Sequence, residues 1–233
     1  ADGKNHGLNN QAVAGSSPNN KTKLVSELNT TTNAAGVTGY TAQNSGTVDY
    51  SGNLDLQGAN SVAVQTLNNG TANLNNATVK ANGDALRANA GNNTINVNGG
   101  TVTGTTNVFN SVAGTNSLVA TNGAVLNGVM SLAAGTSSVE LANGTTWNNT
   151  GNSTVTSLDN AGTVAFATPT TAAVGNYKTI TVNGDYTGNN GKLVVNTLWN
   201  SDADKDSDHL IIKGTASGTT VVSTPNGIIG NIS

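Results

Sequence analysis

Short apolar segments that alternate with polar residues recur along most of this chain. Clear examples are SVAVQTL at 61–67, NTINVNGGTVTG at 93–104 and STVTSLDNAGTVAF at 153–166. Alternation with a period of two places the apolar side chains on one face of a β-strand. Asn-Gly, Gly-Asn and Asn-Asn pairs bound the segments, and these residues tolerate left-handed turn conformations. The pattern predicts an all-β fold of short strands.

Two all-β architectures fit this pattern. A sandwich or barrel has a wide core, in which aromatic residues are common, whereas a right-handed parallel β-helix has a narrow core of Val, Ile, Leu and Ala. Only 3% of the residues are aromatic. The segments recur about every 8–12 residues, and in groups about every 20–30, which is typical of solenoid coils. Stacked coils also align Asn side chains into hydrogen-bonded ladders. The sequence therefore favours a right-handed parallel β-helix with a C-terminal β cap.

Composition excludes several other classes. The chain has 233 residues, 9% of them charged, with a net charge of -3 and 35% hydrophobic residues. Disordered chains combine low hydrophobicity with high net charge, and nucleic-acid or anionic-membrane binding needs a basic surface. No run of about 20 apolar residues is present, so no spanning helix and no direct membrane insertion are predicted. The absence of Cys excludes disulfides.

The segments at 138–166 and 177–222 resemble the passenger domains of bacterial type V autotransporters. The second, which includes ITVNGDYTGNNGKLVVNTLW, is similar to the C-terminal autochaperone segment of pertactin-like passengers. The positions that match this segment are Val182, Gly184, Tyr186, Thr187, Gly188, Gly191, Leu193, Asn196, Thr197, Asp208, Leu210, Ile212, Gly214, Ala216, Gly218 and Thr219. His209 stands where these proteins usually carry a basic residue.

The resemblance implies export through the periplasm and outer membrane to the cell surface or the medium. It implies that the C-terminal segment caps the β-helix and promotes its folding, and that the partner is the protein's own outer-membrane barrel, which is expected to lie outside this chain. The chain is expected to be the C-terminal part of a longer passenger. Three regions are predicted: an irregular leader or first coil at 1–46, β-helix coils at 47–175 and an autochaperone-like cap at 176–233. Within the first region, Lys23–Leu28 is either a strand or one helical turn.

The densest cluster of charge is SDADKDSDHL, with Asp202, Asp204, Asp206 and Asp208. Alternating Asp residues begin a Ca²⁺ loop of the EF-hand type, but Ser207 and Lys213 replace the Gly and Glu that such a loop requires. We interpret this run as a solvated loop between two strands of the cap.

Catalytic chemistry finds little support in the sequence. No Gly-x-Ser-x-Gly or Gly-Asp-Ser-Gly motif occurs. The chain has two histidines, His6 in the irregular leader and His209 beside the Asp run. Paired carboxylates for glycoside or pectate cleavage would have to come from Asp49, Asp55 and Asp84, which fall on neighbouring coils and could meet, beside Arg87. Glu27 and Glu140 are far apart in sequence, and Trp147 and Trp199 are expected to be structural. No catalytic, cofactor-binding or metal residue is predicted, and no enzyme.

Two functions fit these observations. The first is a surface stalk or adhesin, with self-association or a host-surface or extracellular-matrix ligand as its partner. The second is a purely structural translocation and folding module that serves an N-terminal effector, such as a secreted protease, outside this chain.

Overall fold

The computed structural model describes residues 10–13 and 22–229, and the regular elements in these ranges are β-strands. In chain order they are β1 (Asn10–Val13), β2 (Lys23–Ser26), β3 (Thr30–Thr32), β4 (Thr38–Gln43), β5 (Thr47–Tyr50), β6 (Asn53–Leu67), β7 (Thr71–Asn75), β8 (Thr78–Asn89), β9 (Asn92–Asn98), β10 (Thr101–Gly104), β11 (Asn107–Ser111), β12 (Thr115–Thr121), β13 (Val125–Asn127), β14 (Met130–Leu132), β15 (Thr136–Leu141), β16 (Thr146–Asn149), β17 (Ser153–Val155), β18 (Ser157–Asn160), β19 (Thr163–Phe166), β20 (Thr179–Val182), β21 (Tyr186–Val194), β22 (Thr197–Ser201), β23 (Asp204–Ser207), β24 (His209–Ile212), β25 (Ala216–Ser223) and β26 (Ile228–Ile229). Neither range contains a helix with the length and hydrophobicity needed to cross a membrane.

The strands stack in parallel along three sides of a solenoid of about seven turns. The first side consists of β2, β5, β7, β9, β12, β15, β18 and the first parts of β21 and β25. The second consists of β3, the first parts of β6 and β8, then β10, β13, β16, β19 and the second parts of β21 and β25. The third consists of β1, β4, the second parts of β6 and β8, then β11, β14, β17, β20 and β24. The predicted parallel β-helix is confirmed.

The core is a set of columns of small aliphatic side chains. On the first side Val48, Ala72, Ile95 and Leu118 lie in register on consecutive coils, and all four are fully buried. Each large aliphatic side chain buried in this way contributes roughly 1.5–3 kcal/mol. The three sides enclose so little space that aliphatic residues fill most of it, in agreement with the low aromatic content.

A pair of aromatic residues fills the core near its N-terminal end. The rings of Tyr40 and Tyr50 lie 4.7 Å apart between centroids. The Tyr50 hydroxyl donates to the Leu28 carbonyl oxygen at 2.8 Å, and the Tyr40 hydroxyl is 2.8 Å from Ser26 Oγ. Tyr50 therefore bonds to the preceding coil, whereas Tyr40 bonds to the first strand of its own coil.

The strands near the N-terminus belong to the same stack. Lys23–Ser26 is a strand rather than a helical turn, and it pairs with β5 in parallel. His6 lies outside the described residues. The three regional boundaries proposed from the sequence stay predictions.

The predicted side-chain ladders are confirmed on the outside of the solenoid. Asn96 Nδ2 donates to Asn73 Oδ1 at 2.8 Å, and Asn73 Nδ2 donates to Asp49 Oδ1 at 2.6 Å. Asp49 also pairs with Lys23 at 2.5 Å. Each amide thus satisfies its neighbour on the next coil, so a row of polar groups needs few charges.

The coils change length along the solenoid. Hydrogen-bonded neighbours on successive coils are 23 or 24 residues apart in the first half, 21 or 19 further on, and 30 in the C-terminal coils. The coils without excursions have tight corners: at Gly114, for example, φ is +88° and an added Cβ would lie 2.4 Å from the Gly91 carbonyl oxygen. The longer coils carry two excursions, which meet at one corner.

Candidate functional site

Two excursions leave the solenoid near its C-terminal end. The first, at 167–178, follows β19 and ends where β20 begins. The second, at 197–207, is an antiparallel hairpin of β22 and β23, and it ends just before Asp208 and β24. Because β20 and β24 pair in parallel, both excursions return to the same corner.

The carboxylate of Asp208 lies at the centre of this corner and is 5% exposed. Its Oδ1 accepts a hydrogen bond from the Lys178 backbone N–H at 2.8 Å. Its Oδ2 accepts two from Asn196, from the backbone N–H at 2.8 Å and from Nδ2 at 2.7 Å. A buried carboxylate that accepts several N–H bonds is held firmly, because charge-assisted hydrogen bonds are stronger than neutral ones.

Asn196 extends the network to the preceding coil. Its Nδ2 also donates to the Phe166 carbonyl oxygen at 3.1 Å, and its backbone carbonyl accepts the Asp208 N–H at 3.0 Å. Phe166 and Lys178 flank the first excursion, while Asn196 and Asp208 flank the second. These four residues, Phe166, Lys178, Asn196 and Asp208, are called the Asp208 latch below, because they close both excursions at their base.

Further contacts hold the first excursion against the hairpin. Lys178 Nζ donates to the Ala167 carbonyl oxygen at 2.6 Å, and the Gly175 N–H donates to Asp206 Oδ2 at 2.8 Å. Burial raises the pKa of Tyr177, and the nearby carboxylates of Asp206 and Asp208 raise it further. Tyr177 therefore stays protonated at neutral pH beside two carboxylates.

The Asp-rich run differs from its sequence-based interpretation. Only Asp202 and Ala203 form the turn of the hairpin, whereas 204–207 is strand β23, so the prediction of a loop is wrong for those residues. The backbone of β23 pairs with β22, and Lys205 Nζ lies 4.9 Å from the Trp199 ring centroid. These contacts hold the segment as a β-strand, although its composition is typical of a loop.

The Asp side chains of this run diverge. Asp204 accepts from Asn200 and Asp206 from Gly175, whereas Asp208 is buried in the latch. Within residues 10–13 and 22–229, no three His, Cys, Asp or Glu side chains are grouped so that they could hold a metal ion.

The carboxylates that could have met on neighbouring coils do not meet. Asp49 is on the first side, Asp55 on the second and Asp84 on the third. Asp84 is 3% exposed. It accepts hydrogen bonds from Arg87 Nε at 2.8 Å and from the side-chain amides of Asn107 and Asn110, both at 2.7 Å. The sequence showed a lone Arg three residues after an Asp but not the two amides, which come from a neighbouring coil.

A pair of carboxylates that the sequence did not bring together lies on the first side. Glu140 and Asp159 are register partners on adjacent strands. They line a shallow cleft of about 220 Å³ together with Ser138, Ser157 and Asp185. Only knowledge of the coil length, which shortens here to 19 residues, could have aligned the two acids.

The remaining candidate residues have structural positions. Trp147 is fully buried, and its Nε1 donates to the Gly128 carbonyl oxygen at 2.9 Å, so its predicted structural role is confirmed. Trp199 is 40% exposed on the hairpin. His209 is exposed on β24, and its backbone N–H donates to the Lys178 carbonyl oxygen.

Comparison with known proteins identifies the C-terminal region. Residues 153–230 match the family described as Autochaperone Domain Type 1. This region is similar to an autochaperone domain. The matched range contains the whole Asp208 latch and both excursions. A parallel β-helix that continues into such a domain fits the passenger region of an autotransporter, which confirms the resemblance seen in the sequence.

One curated protein also shows local similarity. It is the "Uncharacterized protein YuaQ" of Escherichia coli (strain K12), which is 49% identical over 55 residues. These residues are 24% of this chain and 4% of that protein, so the chain matches only a small part of its length. No solved structure matches the chain significantly.

Proposed function

We propose that this chain is the surface-exposed stalk of an autotransporter adhesin, and that it associates with further copies of itself or with a host-surface or matrix ligand through its polar sides. The chain serves adhesion rather than catalysis, and its autochaperone domain promotes folding and secretion. The proposal places the described solenoid on the bacterial cell surface.

A row of hydroxyl groups on the first side carries this proposal. Six side chains occupy the same outward position on consecutive coils, each in register with the next: Thr47, Thr71, Thr94, Ser117, Ser138 and Ser157. Adjacent strands are about 4.8 Å apart, so the row is a regular array of donors and acceptors. The parallel row formed by Asp49, Asn73 and Asn96 places amides beside it. Such a side can form hydrogen bonds with an equally regular surface.

Cell aggregation tests the adhesin. The full passenger, displayed on cells that do not otherwise clump, is expected to cause clumping that increases with cell density. Thr71→Lys with Ser117→Lys, which places two like charges on the first side of every copy, should abolish it. Thr78→Lys with Thr101→Lys is the matched control, because these two residues form a similar hydroxyl row on the second side. Clumping that persists in the first variant, or is lost equally in both, contradicts a role for the first side.

A second candidate function is a structural module for folding and export of an N-terminal effector. The match of residues 153–230 to the autochaperone family favours it. Deletion of 153–230 should block surface display, and Leu193→Asp, Val195→Asp or Leu210→Asp should abolish folding of the whole chain. Leu193 belongs to the core and is 7% exposed, and Val195 and Leu210 are partly buried against that core. If the upstream coils of these variants keep unchanged stability, the domain is not a template.

A further inference from the structure

We infer that the Asp208 latch is the polar nucleus of the autochaperone domain, which must close before the last coils can stack in register. This inference rests on the proposed folding role of that domain. It assigns Asp208 as the positioning residue: its carboxylate fixes where two separate strands begin.

The first argument concerns register. β20 and β24 pair in parallel, beginning with Thr179 opposite His209. The residues just before that pair are Lys178 and Asp208, which the carboxylate joins directly at 2.8 Å. A slip by one residue would turn every side chain of a strand to the opposite face. The latch therefore sets this pairing at its first step.

The second argument concerns the path of the chain. The two C-terminal coils are 30 residues long, against 23 or 24 in the first half, and the additional residues lie in the two excursions. The entropy of closing a loop rises only slowly with its length, so the additional length itself costs little. The latch joins the residues at the base of both excursions, so the remaining path around the solenoid is as short as that of a regular coil.

The third argument concerns the packing of β24. Its inward-facing residues, Leu210 and Ile212, are only partly buried, whereas their register partners on β20 are fully buried. Hydrophobic stabilisation scales with the area removed from water, so apolar burial contributes less to β24 than to β20. The buried carboxylate of Asp208, just before β24, supplies directional bonds there.

Asp84 provides a matched control in the central coils. It is 3% exposed, against 5% for Asp208, and it too is a buried carboxylate with several N–H donors. Asp84→Asn and Asp208→Asn make the same chemical change, in which an amide group replaces one carboxylate oxygen among N–H donors. They differ in location, since only Asp208 lies within 153–230.

The experiment is a comparison of refolding and unfolding rates of the full chain by stopped-flow circular dichroism. A residue whose contacts form in the transition state slows refolding when it is changed, whereas other residues mainly speed unfolding. Asp208→Asn should slow refolding by about tenfold and change unfolding by less than about twofold. Asp84→Asn should show the reverse pattern. Faster unfolding of Asp208→Asn without slower refolding overturns the inference.

Two further variants keep the test decisive. If Asp208→Asn does not fold, Asn196→Ala replaces it, because that variant removes one side-chain donor and keeps the carboxylate; a slowing of about threefold is then expected. Leu193→Ala tests the folding role of the domain separately. If Leu193→Ala slows refolding and the latch variants do not, the latch inference fails and the domain's role stands. If none of them slows refolding, both fail.

Discussion

Replacement of Asn73 by Asp tests whether the outer ladder depends on amide donors. Asn73 Nδ2 donates to Asp49 Oδ1 at 2.6 Å, and Asn73 Oδ1 accepts from Asn96. In Asn73→Asp the second bond can persist, but the first is replaced by two carboxylates face to face. The substitution replaces the amide NH₂ group by one oxygen atom and leaves the side-chain volume nearly unchanged, so packing is not perturbed.

The loss of stability in Asn73→Asp has two causes, a lost hydrogen bond and a repulsion between like charges. Loss of a hydrogen bond that leaves an acceptor facing no donor costs about 1–3 kcal/mol. Two like charges about 4 Å apart repel by about 4 kcal/mol at an effective dielectric constant near 20. Lys23, at 2.5 Å from Asp49, and partial solvent access offset much of the repulsion. We expect the free energy of unfolding to fall by about 2–4 kcal/mol at pH 7.

The pH dependence of the variant should have the opposite sign to that of the wild type. In the wild type, partial burial raises the pKa of Asp49, but the Asn73 hydrogen bond and Lys23 outweigh it and lower the pKa overall. That stabilisation is present above the unfolded pKa of about 3.9 and is lost as pH falls through the folded value. In the variant, repulsion between the Asp49 carboxylate and the new carboxylate at position 73 raises the pKa of one of them, so the two together hold one proton at pH values above about 3.9. Its stability should therefore rise relative to the wild type as pH falls from 7 towards 4.

Urea denaturation followed by circular dichroism at pH 7 and pH 4.5 measures both the loss of stability and its pH dependence. The comparison requires that wild type and variant have the same m-value, the slope of the free energy of unfolding against urea concentration. Asn96→Asp is the control, because it removes one ladder bond without facing another acid, and it should cost about 1 kcal/mol at either pH. Equal losses in the two variants at pH 7, or no recovery of Asn73→Asp at pH 4.5, would refute the reasoning.

Three further predictions concern the core and the corners. Trp147→Ala should lower the free energy of unfolding by about 3–5 kcal/mol. Trp147→Phe loses the hydrogen bond to Gly128 and should lower it by about 1–3 kcal/mol. If Trp147→Ala lowers the free energy of unfolding by less than about 1 kcal/mol, the burial of Trp147 is contradicted. Gly144→Ala should lower the free energy of unfolding by roughly 1 kcal/mol, because Gly144 has a positive φ but no atom lies within 4 Å of the added Cβ. Gly114→Ala should lower it by clearly more, because its added Cβ also meets the Gly91 carbonyl oxygen. Equal denaturation midpoints for the two variants would refute the clash at Gly114. Burial and the neighbouring Tyr40 raise the pKa of Tyr50, so the stability that Tyr50 contributes is present below about pH 10 and is lost as pH rises through the folded value. Absorbance titrations of the wild type and of Tyr50→Phe should therefore differ by one tyrosine, which ionises only as the protein unfolds.

The repeating features of the fold could be predicted from the sequence because they are local. Alternation in SVAVQTL and its relatives fixes which side chains point inward, and the scarcity of aromatics indicates a narrow core. The Asn ladders follow from stacking like residues on like, as the Asn73–Asn96 bond shows.

The non-repeating contacts could not be predicted, since they depend on coil length. The alignment of Glu140 with Asp159 and the two amides on Asp84 come from register between coils, which varies from 19 to 30 residues. Asp208 looked like one of four equivalent acids in a polar run. Its burial follows from the hairpin that precedes it, and only the match to an autochaperone segment marked this region as special.

The shared base of the two excursions has a consequence for what can be added to this protein. Because the latch joins the ends of 167–178 and of 197–207, the lengths of these segments are independent of the path of the solenoid. Longer closed loops cost little more entropy than short ones, and exposed turns such as Asp202–Ala203 tolerate inserted sequence best. This corner is therefore the natural position at which a foreign peptide, such as an antigen or an affinity tag, can be inserted without altering a coil.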